Sequence, residues 1–325
     1  MKIINATAMK QSMNDQEMID AIEEAFHLYS LENFTMPERL AVKHQEDTML
    51  YMPCLTSDSI GTKMLSLMPQ NPSKGKPLID GMMILNNRED GTPLAIMNGQ
   101  LLTAMRTGAV GGHAVRHLAY PESQHLGLIG CGAQGLYQIK YACAERSIST
   151  VYLYDEFKED LTGFVESIHQ ETDSPSLHCV ICNNAAEVAQ NSDILITATS
   201  SKEPVLPNDP ALFSNKCVVS IGSWRPDMRE IPEAIWQTTS EVYTELPYAC
   251  EETGDLSQPL ADGAIDLDQV HLMSDFLKDI KAGKKTDLQS TRFYKSVGMS
   301  LFDLVVATKI YEKAKEKGLG TDVDW

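Results

Sequence analysis

The stretch from His125 to Asp155 constrains the chain more than any other. His125-Leu126-Gly127-Leu128-Ile129 is an apolar run of strand length, Gly130-Cys131-Gly132-Ala133-Gln134-Gly135 is a turn, and Leu136 to Glu145 has helical character. The flanks give the G-x-G-x-x-G spacing its meaning, because the spacing alone arises by chance. Gly130 permits a tight turn, Gly132 lets the backbone approach a pyrophosphate, and Gly135 lets the helix lie close to the strand. The helix start, at Ala133 and Gln134, offers free N–H groups and the positive end of the helix dipole to phosphates. The next strand, Thr150 to Tyr154, runs into Asp155, 155 − 135 = 20 residues past the last glycine. A carboxylate there hydrogen-bonds a ribose 2′-hydroxyl and repels a 2′-phosphate. No arginine follows it closely, so the expected cofactor is NAD rather than NADP.

The same alternation continues downstream. A helix is expected around 157–170, strands at Leu177 to Cys182, Ile194 to Thr199 and Cys217 to Ile221, and a short helix at Ala185 to Asn191. Strands alternating with helices predict a Rossmann-type α/β domain, a doubly wound parallel sheet. Ligands sit at strand carboxyl ends in such sheets. Thr197-Ala198-Thr199-Ser200-Ser201 is small and hydroxylated, so Thr197 and Thr199 would let a nicotinamide ribose approach.

The first third reads as mixed α+β. Met18, Ile22, Ala25 and Tyr29 recur at helical spacing over 14–31, with Ser12 as the expected cap and Asp15 completing a capping box. Met49 to Met52, Gly81 to Leu85 and Pro93 to Met97 are strand candidates, the last two joined by a turn from Asn86 to Gly91. The chain ends in a helix from Ser300 to Lys317, with Leu301, Leu304, Ala307 and Tyr311 on one face. This helix is expected to pack back on the first domain. The expected division is 1–117 plus 300–325 for a substrate-binding and dimerisation domain, and 118–299 for the inserted NAD-binding domain.

Composition narrows the function class. The 325 residues suit two domains, and the formal charge of 27 − 45 = −18 repels phosphate backbones, which argues against nucleic-acid binding. No apolar run is long enough to span a membrane, and the N-terminus lacks a signal-like apolar segment. Seven scattered cysteines fit a reducing cytoplasm. Cys179 and Cys182 form a C-x-x-C on a strand, where residues three apart face opposite sides. His113 and His117 have zinc-compatible helical spacing but no evident third ligand, so no metal site is expected. Met64, Met68, Met82 and Met83 are read as gap fillers in a core or pocket.

Several further stretches carry a family resemblance. They are Pro37-Glu38-Arg39, Gly61-Thr62-Lys63, Leu102 to Ala109, the glycine turn and Thr197 to Ser201. To these add Gly222 to Glu230, Glu252 to Leu256, and Tyr294 to Gly298 with Asp303. In this order, across nearly the whole chain, they resemble the ornithine cyclodeaminase/mu-crystallin family. The resemblance implies a homodimer in which an N-terminal domain binds substrate and a Rossmann domain binds NAD(P). It implies that Arg39 grips a substrate carboxylate, and that Lys63 lies beside the reacting carbon. It further implies that Arg106 contacts cofactor and substrate, that Thr107 beside it and Ser223 belong to the cofactor site, and that Lys295 and Ser296 approach the nicotinamide. Cyclodeaminases of the family carry an aspartate after the glycine of the fifth-strand motif; here that residue is Ser223, as in the mu-crystallin and ketimine-reductase branch. Serine without a partner is a poor base, and Asp227 is the nearest possible substitute. The expected activity is reduction of a small imino acid, such as a cyclic ketimine. Ornithine cyclodeaminase, alanine dehydrogenase and a non-catalytic binding protein remain open.

Overall fold

The computed structural model describes residues 1–284 and 290–324. The chain divides into two compact units, Met1–Arg106 with Met299–Trp325, and Thr107–Gly298.

The first unit opens with β1 (Lys2–Ile4), α1 (Ala6–Ser12) and α2 (Asp15–Ser30). The cap of α2 is Asn14, not Ser12. Asn14 Oδ1 accepts from the Glu17 amide and Glu17 accepts from the Asn14 amide, a complete capping box. Ser12 is already the last residue of α1, buried, with its hydroxyl donating to the Met9 carbonyl. Then follow β2 (Phe34–Thr35), β3 (Leu40–His44), β4 (Asp47–Thr56), β5 (Ile60–Leu67), β6 (Ile79–Asn86), β7 (Pro93–Asn98) and α3 (Gly99–Leu118). β4 to β7 pair antiparallel in sequence; the turn from Asn86 predicts the β6–β7 hairpin, while β5 is not among the expected strands.

The second unit begins within α3 and continues through β8 (His125–Ile129), α4 (Ala133–Glu145), β9 (Thr150–Tyr154), α5 (Thr162–Glu171), β10 (His178–Ile181), α6 (Ala185–Gln190), β11 (Ile194–Thr197) and β12 (Cys217–Ser220). It ends with β13 (Thr239–Thr244), α7 (Ala249–Glu252), α8 (Gly254–Ala261), β14 (Val270–Leu272), α9 (Met273–Lys281) and β15 (Thr291–Lys295). Its sheet is parallel, in the order β10-β9-β8-β11-β12-β15-β13-β14. The strand order reverses beside β8, between β9 and β11, so the crevice expected of a doubly wound sheet opens at their carboxyl ends. One face is a core of Val188, Leu195, Val218, Trp236, Val242 and Phe293. The expected helix at 157–170 starts later, at Thr162.

The chain then returns to the first unit as α10 (Ser300–Glu316) and β16 (Thr321–Asp322), which pairs with β1. α10 packs on α1, α2 and the strands β4 to β6, with Phe302 edge-on to Phe26 at 5.1 Å. The first unit is thus α+β, and its sheet buries one face under α10. No helix among the described residues is long and apolar enough to cross a membrane.

Candidate active site

In the first unit, strand alternation points Gly61, Lys63 and Leu65 of β5 inward, beneath α10. Lys63 Nζ donates to Asp303 Oδ2 at 2.7 Å, and Arg106 Nε donates to Asp303 Oδ1 at 2.8 Å. Lys63 and Asp303 are fully buried and Arg106 nearly so. Asp303 lies in the first turn of α10, where the helix dipole favours a carboxylate. Burial pushes its carboxyl up, but the adjoining Arg106 and Lys63 charges outweigh that and hold it below the usual range. Burial drives Lys63 down to about 7, against the pull of Asp303, with the Arg106 and Arg39 charges deepening the drop. The half-buried Arg39 therefore belongs to the same electrostatic neighbourhood. Two cations share one carboxylate, so with Lys63 protonated the cluster holds one positive charge in excess, which suits an anion.

The second unit holds the glycine turn. Gly130 has φ +99, a left-handed-side value that a side chain disfavours, and a Cβ there would press on the Ala198 carbonyl at 2.7 Å. A Cβ on Gly135 would strike the Gly130 carbonyl, which is the close strand–helix approach. A Cβ on Gly132 would meet nothing within 4 Å, so its backbone faces open space. Gly132 caps α4 without a side-chain hydrogen bond, leaving the helix start at the exposed Ala133 and half-buried Gln134 to a ligand or solvent. Asp155 Oδ2 accepts from the Cys131 amide at 2.8 Å, which ties the end of β9 to the turn. Thr197 is buried at the carboxyl end of β11, and its Oγ1 has no hydrogen-bond partner. Turn, helix start and orphaned hydroxyl together fit the pyrophosphate and ribose of a dinucleotide.

Not every expected residue presents a side chain. Thr199 donates its amide and hydroxyl to Glu230 at 2.6 and 2.8 Å. Ser223 is buried, its hydroxyl donated to the Met228 carbonyl at 2.7 Å and close to Thr253 Oγ1. Ser296 donates to Glu245 at 2.5 Å, and Lys295 is buried against Ser220 and Asp255. The buried Thr107 gives its carbonyl to Gln138 Nε2. Asp227 is exposed and ion-paired to Lys202 and Arg225; the Lys202 hydrogen bond first, then the Arg225 charge, holds its carboxyl low.

The sequence motifs left unassigned the acids that organise all this. Glu230 accepts from Thr199, Ser220, Gly222 and Ser223, and so pins the ends of β11 and β12. Asp255 accepts from the Glu230 and Ile231 amides, Ser220 and Lys295. Glu245 accepts from Ser296 and the amides of Val297 and Gly298. Asp303 had a detectable signal, a lone carboxylate inside the apolar run Leu301-Phe302-Asp303-Leu304-Val305-Val306.

The profile of the ornithine cyclodeaminase/mu-crystallin family matches residues 1–318. A Delta(1)-pyrroline-2-carboxylate reductase of Bacillus cereus is 32% identical over 331 residues, covering 100% of both chains. The structure of Thermococcus litoralis Delta(1)-pyrroline-2-carboxylate reductase in complex with NADH and L-proline matches with a TM-score of 0.89 at 30% identity, over 99% of this chain and 100% of that one. An archaeal alanine dehydrogenase dimer with bound NAD matches with a TM-score of 0.86 at 26% identity, over 100% of this chain and 99% of that one. The chain belongs to the ornithine cyclodeaminase/mu-crystallin family.

Proposed function

We propose that the protein reduces a small cyclic imino acid, of the pyrroline-2-carboxylate or piperideine-2-carboxylate kind, to the amino acid, with NADH as the reductant. The observation that carries this is the buried Lys63–Asp303–Arg106 cluster, one negative charge short of balance. A substrate carboxylate supplies that charge. The guanidinium groups of Arg39 and Arg106 suit a carboxylate as planar forks. With its pKa near 7, Lys63 can hold a proton at Nζ and give it to the imine nitrogen, which makes the adjacent carbon the better hydride acceptor. NADH, when bound, supplies the hydride. The glycine turn, the start of α4 and Asp155 are the residues that would hold it. The Bacillus cereus and Thermococcus litoralis relatives support the same substrate class.

Ring-closing deamination would use a carboxylate where Ser223 stands. Ser223 is buried and committed inward, and Asp227 is an exposed ion pair that holds its proton poorly. The test is NADH loss with pyrroline-2-carboxylate, piperideine-2-carboxylate, and pyruvate plus ammonia, beside L-ornithine with NAD⁺. One NADH consumed per cyclic imine reduced is expected. Proline and ammonia from L-ornithine without net NADH change, or turnover of pyruvate plus ammonia alone, would contradict it.

The open face of the first sheet is read as the docking surface for a second copy of the chain. Leu40 and Val42 of β3 are 60% and 52% exposed and share that face with Met49, Tyr51, Met64 and Met82. The archaeal alanine dehydrogenase relative is a dimer. Val42→Glu is expected to yield monomers in sedimentation. All seven cysteines are free thiols, in keeping with a reducing cytoplasm.

A further inference from the structure

Among the described residues Phe157 is 92% exposed, far beyond the next large apolar side chain, Leu267 at 65%. Single exposed apolar residues are ordinary on protein surfaces, so exposure alone decides nothing. The setting does. The Phe157 amide donates to Asp155 Oδ1 at 3.1 Å, while Asp155 Oδ2 accepts from the Cys131 amide. One residue on, Lys158 Nζ donates to the Cys131 carbonyl at 2.6 Å. The segment from Asp155 to Lys158 is thus stitched to the glycine turn on both sides. The bare ring projects from an anchored backbone, not from a free loop.

Topology indicates what would meet it. A dinucleotide crossing the switch point puts its pyrophosphate at the turn after β8 and one ribose at Asp155, at the end of β9. The parallel neighbour on that side is β10, so the base attached to that ribose extends over the ends of β9 and β10. Phe157 follows the end of β9 directly. We propose that Phe157 is the stacking platform for the adenine of the bound dinucleotide. This rests on the cofactor reading above and adds to it the residue that grips the adenine half. Flat base and flat ring bury each other's faces, and such stacking is sensitive to removal of the ring.

The probes are NADH and ADP-ribose, the latter carrying adenine but no nicotinamide, with affinities read by calorimetry. Phe157→Ala is expected to weaken both about tenfold, with Tm unchanged because the ring packs on nothing. Phe157→Tyr should restore binding and Phe157→Leu should not, which separates stacking from mere apolar cover. Phe157→Trp should gain a fluorescence component that ADP-ribose quenches. Unchanged ADP-ribose affinity in Phe157→Ala, or full rescue by leucine, overturns the platform and leaves the cofactor reading standing. A wild-type chain that binds neither probe overturns the cofactor reading, and the platform with it.

Discussion

The two units each bury a cluster of ionised groups, and the clusters are opposite in balance. In the first unit Lys63 and Arg106 share the single carboxylate of Asp303. In the second, the ammonium of Lys295 pairs with Asp255, and the Glu230 carboxyl joins them through the Ser220 hydroxyl and the Lys295 charge. The acidic cluster also collects the amides of Thr199, Gly222, Glu230 and Ile231, so its oxygens are well supplied with donors from the chain itself. Burial, countered by Lys295 and reinforced by Asp255, lifts the Glu230 carboxyl above its ordinary range. That cluster ties strand ends together and asks nothing of a ligand. Among the described residues the basic cluster is given only the carboxylate of Asp303, and its remaining positive charge is the place proposed for an anion. A buried charge cluster that closes on itself holds structure, whereas one left open recognises something.

Substitutions in each cluster test this contrast. The largest effect is expected from Lys63→Met, which removes the proposed proton donor and should lower kcat by about 10³-fold while calorimetric NADH affinity stays unchanged. Equal loss of NADH affinity would mean that Lys63 supports the fold and not the chemistry. Next comes Asp255→Asn, which leaves Lys295 poorly paired and should cost about 3 kcal/mol of stability in urea unfolding. Unaltered stability would remove the bracing role of the acidic cluster. Arg39→Lys keeps charge but loses the planar fork, so KM for the imino acid should rise about tenfold with kcat little changed. The smallest effect belongs to Asp227→Asn, an exposed pair whose loss should change kcat/KM by less than about twofold. A large loss there would bring Asp227 back as a catalytic group.

Much of the dinucleotide unit was legible in the sequence because its signals are local. β8 and β9 lie where the apolar runs predict them, and Gly130 has the positive φ and Gly135 the close strand–helix approach that their positions imply. Other features depend on contacts that sequence does not display. Lys63 and Asp303 are 240 residues apart, and Arg106 and Asp303 are 197 apart. Acids are usually surface residues, so Glu230 and Glu245 gave little sign of burial. β15 went unrecognised because Thr-Arg-Phe-Tyr-Lys neither alternates nor forms an apolar run, although all five residues are buried. The spacing makes Ser12 the expected cap of the first long helix, but Ser12 ends the short helix α1, whose existence the spacing does not show, and Asn14 caps α2 instead.

The most direct test of the open basic cluster is the pH profile of kcat/KM for imino-acid reduction, in wild type and in Lys63→Arg. Lys63 titrates near 7 and must carry a proton to donate it, so the wild-type rate should fall about tenfold per pH unit above that point. The reverse oxidation needs the neutral amine and should fall below it. Removing the titrating amine while keeping the charge, Lys63→Arg should abolish the basic limb. A limb that persists in Lys63→Arg, or a wild-type profile flat from pH 6 to about 9, would contradict the assignment of Lys63 as the proton donor.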